Sequence, residues 1–464
     1  MADIDILGID ELLVIFNLLS LYDKLMAMRV CKKWYHIVRK THAWKVIDFR
    51  DNGPVITINE DDDGRFYKRY VAKPGQNILK FREKLDWYLR DVKRWEFPMN
   101  SRKVLSFLGL FAGDALREIY LTVMSGGIME FLRRTCPNII TFDFSRCYVE
   151  SVCIDIDETI NEKLYIPIKL KRLGLRISQP RRYRQNVKIN ELLLSCVAND
   201  CSELQSICLC NFELTSTSIH NLVKIPSLRD IELSSCPYYT DYTDHYSSEF
   251  DDILTNSIGV LETLTRLRID EVVSHDLSTF LGSIGDWEHL RELALIHVAF
   301  SEEAFEKMIP GLINLKRLEL QGYSISSPIV TLVGNECRKL DSLLLRDGMY
   351  SGKSLMSLSH HPTLELLEVQ NWPYRRGVWR RDTPAVESEW QWLHTVFSML
   401  ETLPKIKRVK LWGKNVAKVY NKGTFPVLHL AEIEAIEPSC NEDTHKKQNG
   451  RSFSKNSFKR MFKR

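Results

Sequence analysis

LTRLRI at Leu264, LRELAL at Leu290, LKRLEL at Leu315, LDSLLL at Leu340 and LELLEV at Leu364 are one hexapeptide written five times. The copies start 26, 25, 25 and 24 residues apart. Read backwards, the same pattern gives LRDIEL at Leu228, LQSICL at Leu204, LKRLGL at Leu170, IITFDF at Ile139 and LREIYL at Leu116. A degenerate VKRWEF stands at Val92, and IKRVKL at Ile406 continues the series forwards. One such hexapeptide arises by chance; eleven at a near-constant period mark an internal repeat, which has to be read before local structure. The alternation at the end of each copy is that of a strand with one buried face. Between copies lie helix-like stretches such as SEEAFEKMI from Ser301, where Ser301 is a fitting N-cap.

A strand and a helix in each unit, at this period, resemble a leucine-rich repeat. The resemblance implies an α/β solenoid: a horseshoe with a parallel sheet on the concave side and helices on the convex side. A single unit cannot bury its apolar face, but a stack of eleven or twelve can. Each fully buried Leu or Ile contributes about 1.5–3 kcal/mol, so Leu318→Asp is expected to damage the array. Cys136, Cys201 and Cys337 precede the first apolar position of their units by three residues, and Cys147 and Cys236 follow the last by three. This resembles the cysteine-containing subtype of these repeats. At the later place other units have Phe212, Val272, Val298 and Tyr323, all expected to fill core.

The N-terminal stretch from Leu7 reads LGIDELLVIFNLLSLYDKLMAMRVCKKWYHIVRKTHAWKVIDF. Leu12, Ile15, Phe16 and Leu19 recur at helical spacing, Asp10 and Glu11 suit a first helical turn, and Asp23 suits a second cap. About forty residues this apolar cannot bury all of that surface alone, so an apolar face is left for a partner. The segment resembles an F-box through E-L-L-x-x-I-F-x-x-L, V-C-K-x-W and W-K-x-I-D-F. It departs where the family has Leu-Pro and this chain has Leu7-Gly8; glycine loosens the start of the first helix. The resemblance implies docking on a Skp adaptor, and through it on the cullin and RING subunits of a ubiquitin ligase. The residues it carries to that contact are Leu7, Leu12, Ile15, Phe16, Leu19, Val30, Cys31 and Trp34. A helical cap shielding the first repeat is the plainer reading of the same residues.

The expected organisation is an F-box over 1–49, a connecting or capping segment over 50–91, and a solenoid over 92–436. Loops are inserted in it near 235–255 and 371–395, and a basic tail follows over 437–464. Of the 464 residues 44% are hydrophobic, as in folded soluble proteins. No apolar run reaches the roughly 18–20 residues of a membrane helix, and Asp3, Asp5 and Asp10 do not fit a secretory signal. The cytosol or nucleus is therefore expected. The net charge of +4 comes from the tail, which holds eight Lys/Arg against three acids and leaves a body with 56 bases and 57 acids. The tail reads as disordered, with nuclear targeting or contact with an anionic surface as further roles.

Eleven cysteines without a C-x-x-C pair argue against a disulfide framework and a zinc site, Cys208-Leu-Cys210 being poorly spaced for one metal. Asp61-Asp62-Asp63 reads as a solvated loop, and His360-His361 lacks further ligands. No nucleophile–base pair, phosphate loop or metal motif is present, so neither catalysis nor a cofactor is expected. Residues flanking the middle and last apolar positions should line the concave face. They give seven bases (Arg94, Arg172, Arg266, Arg317, Arg408, Arg268, Lys410) against eight acids (Glu118, Asp230, Glu292, Glu96, Asp143, Glu232, Glu319, Glu368). That mixture argues against a nucleic-acid groove and for a protein-binding face. Two long intervals follow strands: one holds PYYTDYTDHY from Pro237, the other WPYRRGVWRR from Trp372. Trp, Tyr and Arg dominate protein hot spots. Trp372, Tyr374, Arg375, Arg376, Trp379, Arg380 and Arg381 are accordingly candidates to grip a protein substrate, while Trp390 and Trp392 read as packing residues. The expected role is substrate recognition for the ligase, the chain itself being non-catalytic. A repeat scaffold or inhibitor acting outside ubiquitination is the alternative.

Overall fold

The computed structural model describes residues 7–19, 23–24, 27–28, 30–39, 43–48, 55–60, 66–71, 108, 111–121, 126–145, 169–176, 183–212, 214–236, 249–258, 261, 263–270, 277–371, 389–412, 416 and 432–436. They fall into two units, Met1–Glu319 and Leu320–Arg464.

The first unit opens with helices α1 (Ile9–Leu18) and α2 (Lys32–Val38). Asp10 and Glu11 lie in the first turn of α1, where negative charge favours the helix dipole. Cys31 caps α2, its sulfur accepting the Trp34 backbone N–H at 3.5 Å. Strand β1 (Val46–Asp48) follows, and β2 (Val55–Glu60) pairs antiparallel with β3 (Phe66–Val71) as a separate two-stranded sheet. The repeats then supply β4 (Glu118–Tyr120), β5 (Thr141–Asp143), β6 (Arg172–Arg176) and β7 (Ser206–Cys210). They continue with β8 (Asp230–Ser234), β9 (Arg266–Asp270) and β10 (Glu292–Ile296). These strands are parallel and stand side by side in chain order. β1 pairs with β4, so the sheet begins at Val46, well before the first repeat read from the sequence. The degenerate copy at Val92 lies outside the described residues.

The intervening helices are α3 (Gly126–Thr135), α4 (Tyr183–Asp200), α5 (Ser216–Val223), α6 (Glu249–Ser257), α7 (Ser278–Ser283) and α8 (Glu302–Met308). Ser301 caps α8 by accepting the Ala304 N–H at 3.2 Å. Each hexapeptide starts its strand at the third residue, so its first, fourth and sixth positions point at the helices. Leu264, Leu267 and Ile269 are buried accordingly, as are Leu290, Leu293 and Leu295. Strand β11 (Arg317–Gln321) begins in this unit and runs into the second. The second unit repeats the plan with α9 (Ser327–Glu336), β12 (Ser342–Gly348), α10 (Gly352–Leu355), β13 (Leu366–Asn371), α11 (Glu389–Leu400), β14 (Arg408–Trp412) and β15 (Glu432–Ile436). Its strands β12 to β15 pair in parallel.

Three regularities recur from repeat to repeat within each unit. At the start of the strands in the first unit, the second hexapeptide residue donates its N–H to the carbonyl of the equivalent residue before it. This ladder runs Ile140 to Arg117, Lys171 to Ile140, Gln205 to Lys171, Arg229 to Gln205, Thr265 to Arg229, Arg291 to Thr265 and Lys316 to Arg291, at 2.8–2.9 Å. At the strand ends the chain turns through a left-handed residue seven places after the first apolar one: Asn211 (φ 51°), Ser235 (50°) and His297 (52°). Asp347 (54°) and Gly322 (128°) do the same in the second unit. None is β-branched, as that backbone region requires. Finally, the place three before the first apolar residue is a buried plug. It holds Cys136, Cys201 and Cys337, but also Ile225, Trp287, Leu312 and His361.

At the later cysteine place Cys236, Phe212 and Val298 are buried, as expected, whereas Tyr323 is 60% exposed. It follows Gly322, whose φ of 128° lies far from the roughly 50° of the other turns, and Ile325 fills the core instead.

Candidate functional site

The N-terminal helices divide the eight expected contact residues into two groups. Leu12 and Phe16 are fully buried, Phe16 meeting Trp34 edge-on at 5.2 Å, with Ile37 and Val38 beside them in the core. Their apolar surface is used by the helices themselves, which moves them from the contact set to the core. Ile15, Val30 and Cys31 are exposed, and Leu7, Leu19 and Trp34 are half-buried. Three apolar side chains missed in the sequence join the exposed group: Ile9 (48%), Val14 (63%) and Leu18 (83%). Val14 and Leu18 are one turn apart, on the side of α1 opposite Leu12 and Phe16. Such a helix, apolar nearly all round, is the signal that marks a second face. Gly8 holds φ at −68°, the value a proline would impose, and Lys33 Nζ fixes the start of α1 by donating to the Leu7 carbonyl at 2.9 Å.

Where these helices meet the sheet, Lys24 is buried. Its Nζ lies 3.4 Å from the Val46 carbonyl and 5.5 Å from the centre of the Trp44 ring. Trp44 in turn donates its indole N–H to the Val38 carbonyl at 2.7 Å. Burial pulls the Lys24 amine down to a pKa of about 8.

On the open face of the sheet in the first unit, the mixed charges pair with one another. Arg268 is the hub, reaching Glu319 at 3.1 Å, Asp270 at 3.3 Å and Glu232 at 3.6 Å. Arg266 adds Glu292 at 3.5 Å and Glu232 at 4.0 Å, and Arg317 reaches Glu319 at 3.7 Å. On the strand between Arg268 and Glu319 stands Ala294, whose small, nearly buried side chain leaves the guanidinium room to cross. In the second unit Arg346 bonds Glu368 at 2.6 Å. Further along the first unit, Asp143 accepts from the Ser145 N–H and hydroxyl at 2.8 and 2.6 Å; a side chain on Gly174 would collide with it.

Burial pushes the thiols of Cys136, Cys201, Cys236 and Cys337 up to about 12, and Cys208 goes up as well, all away from reactive thiolate. His361 is a core residue whose Nε2 lies 2.9 Å from the Cys337 carbonyl. Trp392 is buried in α11 and Trp390 is 37% exposed. Trp372, Tyr374, Arg375, Arg376, Trp379, Arg380 and Arg381 lie outside the described residues, as do Arg94, Glu96, Pro237–Tyr246, Asp61–Asp63 and the basic tail. No described helix is long and apolar enough to cross a membrane.

An F-box-like family model matches residues 10–50. The N-terminal segment is F-box-like. It spans α1, α2 and β1, and feeds directly into a sheet whose chain-order parallel strands, one per repeat, make a leucine-rich-repeat solenoid. No curated protein sequence matches the chain. Solved structures similar to it include an internalin C2 from Listeria monocytogenes, with 16% identity, coverage of 52% of this chain and 84% of that one, and a TM-score of 0.30. An internalin (inlF) of the same species shares 13% identity over 71% and 84% of the two chains, with a TM-score of 0.35. The TLR13–ssRNA13 complex shares 15% identity over 64% and 46%, with a TM-score of 0.33. The repeat assignment rests on period and strand order, which hold without these likenesses.

Proposed function

We propose that this F-box/leucine-rich-repeat chain is a non-catalytic substrate receptor of a cullin–RING ubiquitin ligase. Its F-box-like helices bind a Skp adaptor, and its repeats hold a protein substrate, in the cytosol or nucleus. The carrying observation is the apolar surface exposed on the described residues of that segment: Val14, Leu18 and Val30 are each more than 60% exposed. Unpartnered apolar side chains at this density mark an interaction surface. Ile9, Ile15 and Cys31 extend it, with Leu7, Leu19 and Trp34 at its margin. Receptor action is proximity: the substrate is held while a separate enzyme conjugates ubiquitin to its lysines. The Trp372–Arg381 stretch is proposed to take part in the grip, and loss of substrate ubiquitination in a Trp379→Ala/Arg380→Ala variant tests that part.

Adaptor binding is tested by capture of the intact chain on purified Skp adaptor, beside Leu18→Asp/Val30→Asp. These exposed positions leave the core untouched, so circular dichroism should match the parent while capture is lost. Capture that survives the double substitution removes this face as the contact. No capture by the folded parent leaves a repeat scaffold outside the ubiquitin system.

A further inference from the structure

The N-terminal edge of the sheet in the first unit carries a row of charge that the rest of the sheet does not neutralise. The backbone ladder from Arg117 to Lys316 makes the second hexapeptide residues one continuous rail. Five of its eight places are basic (Arg117, Lys171, Arg229, Arg291 and Lys316), and the others are Ile140, Gln205 and Thr265. Lys171, Arg229, Arg291 and Lys316 are exposed, and among the described residues they bond no carboxylate. Arg117 reaches only backbone carbonyls, those of Asp114 and Leu116, at 2.5 and 3.2 Å.

Of the neighbouring charges, Arg172 is likewise exposed and bonds no carboxylate among the described residues, but others are paired. One residue further along the same strands, Arg266 is paired with Glu292 at 3.5 Å. At the matching edge of the second unit, Lys407 is paired with Glu365 at 2.8 Å. Asp114, Glu203 and Glu288 stand exposed in the turns before the strands against Lys169, so these turns bring two net acids, fewer than the five bases of the rail. Asp230, in the adjacent row, accepts from the Thr265 hydroxyl at 3.0 Å.

Arg117, Lys171, Arg229 and Arg291 sit on every second strand. With strands about 4.8 Å apart, they recur about every 9.6 Å. An extended peptide in the polyproline II conformation rises about 3.1 Å per residue with three residues per turn, so its every third side chain falls on one face about 9.3 Å apart. Duplex nucleic acid carries one charge per ~1.7 Å of axis and would leave most of its phosphates unmatched on so sparse a row.

We propose that this edge docks an extended acidic segment of the substrate protein, with Asp or Glu at every third residue. The proposal rests on the receptor reading and names the substrate class for it. The test uses the full-length chain without adaptor, and reads fluorescence anisotropy of a labelled Ser/Gly peptide carrying Glu at every third residue. The variant Lys171→Glu/Arg229→Glu/Arg291→Glu, with Lys171→Gln/Arg229→Gln/Arg291→Gln in reserve should it fold poorly, should weaken binding about tenfold or more. The parent's affinity should fall with added salt, and deletion of Arg451–Arg464 should leave it unchanged. Three results would each overturn the proposal: full affinity in the folded variant, equal binding of a peptide with the same glutamates clustered, or tighter binding of an oligouridylate of equal charge. Adaptor capture by the charge variant is measured separately and should be intact, so failure of the rail and failure of the receptor reading remain distinct.

Discussion

Replacing Lys24 with methionine should stabilise the junction between the helical segment and the sheet at neutral pH. Lys24 is 1% exposed, and its Nζ donates to the Val46 carbonyl over a long 3.4 Å. Lowering a lysine pKa from 10.5 to about 8 corresponds to about 3 kcal/mol spent on keeping the ion buried, at about 1.4 kcal/mol per tenfold change in proton affinity. Methionine keeps most of the stem and removes that penalty. It forfeits a long hydrogen bond and a cation–π contact with Trp44, together worth about 1–2 kcal/mol. The expected net gain at pH 7 is therefore about 1–2 kcal/mol. The sign of its pH dependence follows from the depressed folded-state pKa. Between pH 8 and 10.5 the unfolded chain binds a proton that the folded chain does not, so the parent gains stability as pH rises. The advantage of Lys24→Met should shrink by about 2 kcal/mol between pH 7 and 9.5. Hydrogen exchange of amides in α1 and α2, corrected for intrinsic rates, reads this locally. A variant no more stable than the parent at pH 7, with a gap flat across that range, would refute the reasoning by showing that the ammonium pays no burial penalty.

Leu318 is fully buried, and Leu318→Asp should lose about 4 kcal/mol or more, with helical circular dichroism falling as neighbouring repeats loosen. Gly311→Ala drives a methyl into the Gly285 carbonyl oxygen and should destabilise by about 1–3 kcal/mol in urea unfolding. Gly282→Ala, which meets nothing within 4 Å, should avoid that clash and serve as the control. Burial lowers the pKa of His361 below 6.5, so the stability it contributes is complete above pH 6.5 and is lost as pH falls through its folded-state pKa. Thermal melts of His361→Leu should decline less than those of the parent between pH 7 and 5. Gly8→Pro, at a φ of −68°, should stabilise α1 by about 0.4–1 kcal/mol and tighten adaptor capture in titration calorimetry.

The strands were legible because their signal is arithmetic: apolar residues at fixed places, repeated at a fixed interval. The left-handed turns were not, since Asn211, Ser235, His297, Gly322 and Asp347 share a backbone state and no side-chain type. The cysteine pattern was a sample of a broader rule. The same buried plug accepts Trp287, Leu312 and His361, because that place demands volume more than sulfur. In α1, Leu12, Ile15, Phe16 and Leu19 recur at helical spacing, and the F-box resemblance carried all four to the contact. Only packing against Trp34 shows which side is spent internally, leaving Val14 and Leu18 outside. Pairing was equally hidden: counting charges gave a balanced face, but not that Arg268 would cross Ala294 to reach Glu319.

The ladder at the start of the strands also sets where such a chain can grow over evolutionary time. From the last helical residue to the next first apolar position the chain takes four residues in the stretches Thr135–Ile139, Asp200–Leu204 and Glu336–Leu340. From Val223 to Leu228 it takes five and from Ser257 to Leu264 seven, and the ladder amides of Arg229 and Thr265 stay bonded in both. After the strand the constraint is a single permissive turn residue, and the path from there to the helix is free in length. The 34-residue interval from Leu170 to Leu204, for example, carries the 18-residue helix α4. The intervals of 36 residues from Leu228 and 42 from Leu364 likewise open after β8 and β13. One rim of the repeats is thus kept short by the ladder, while the other can take up new sequence without refolding the whole.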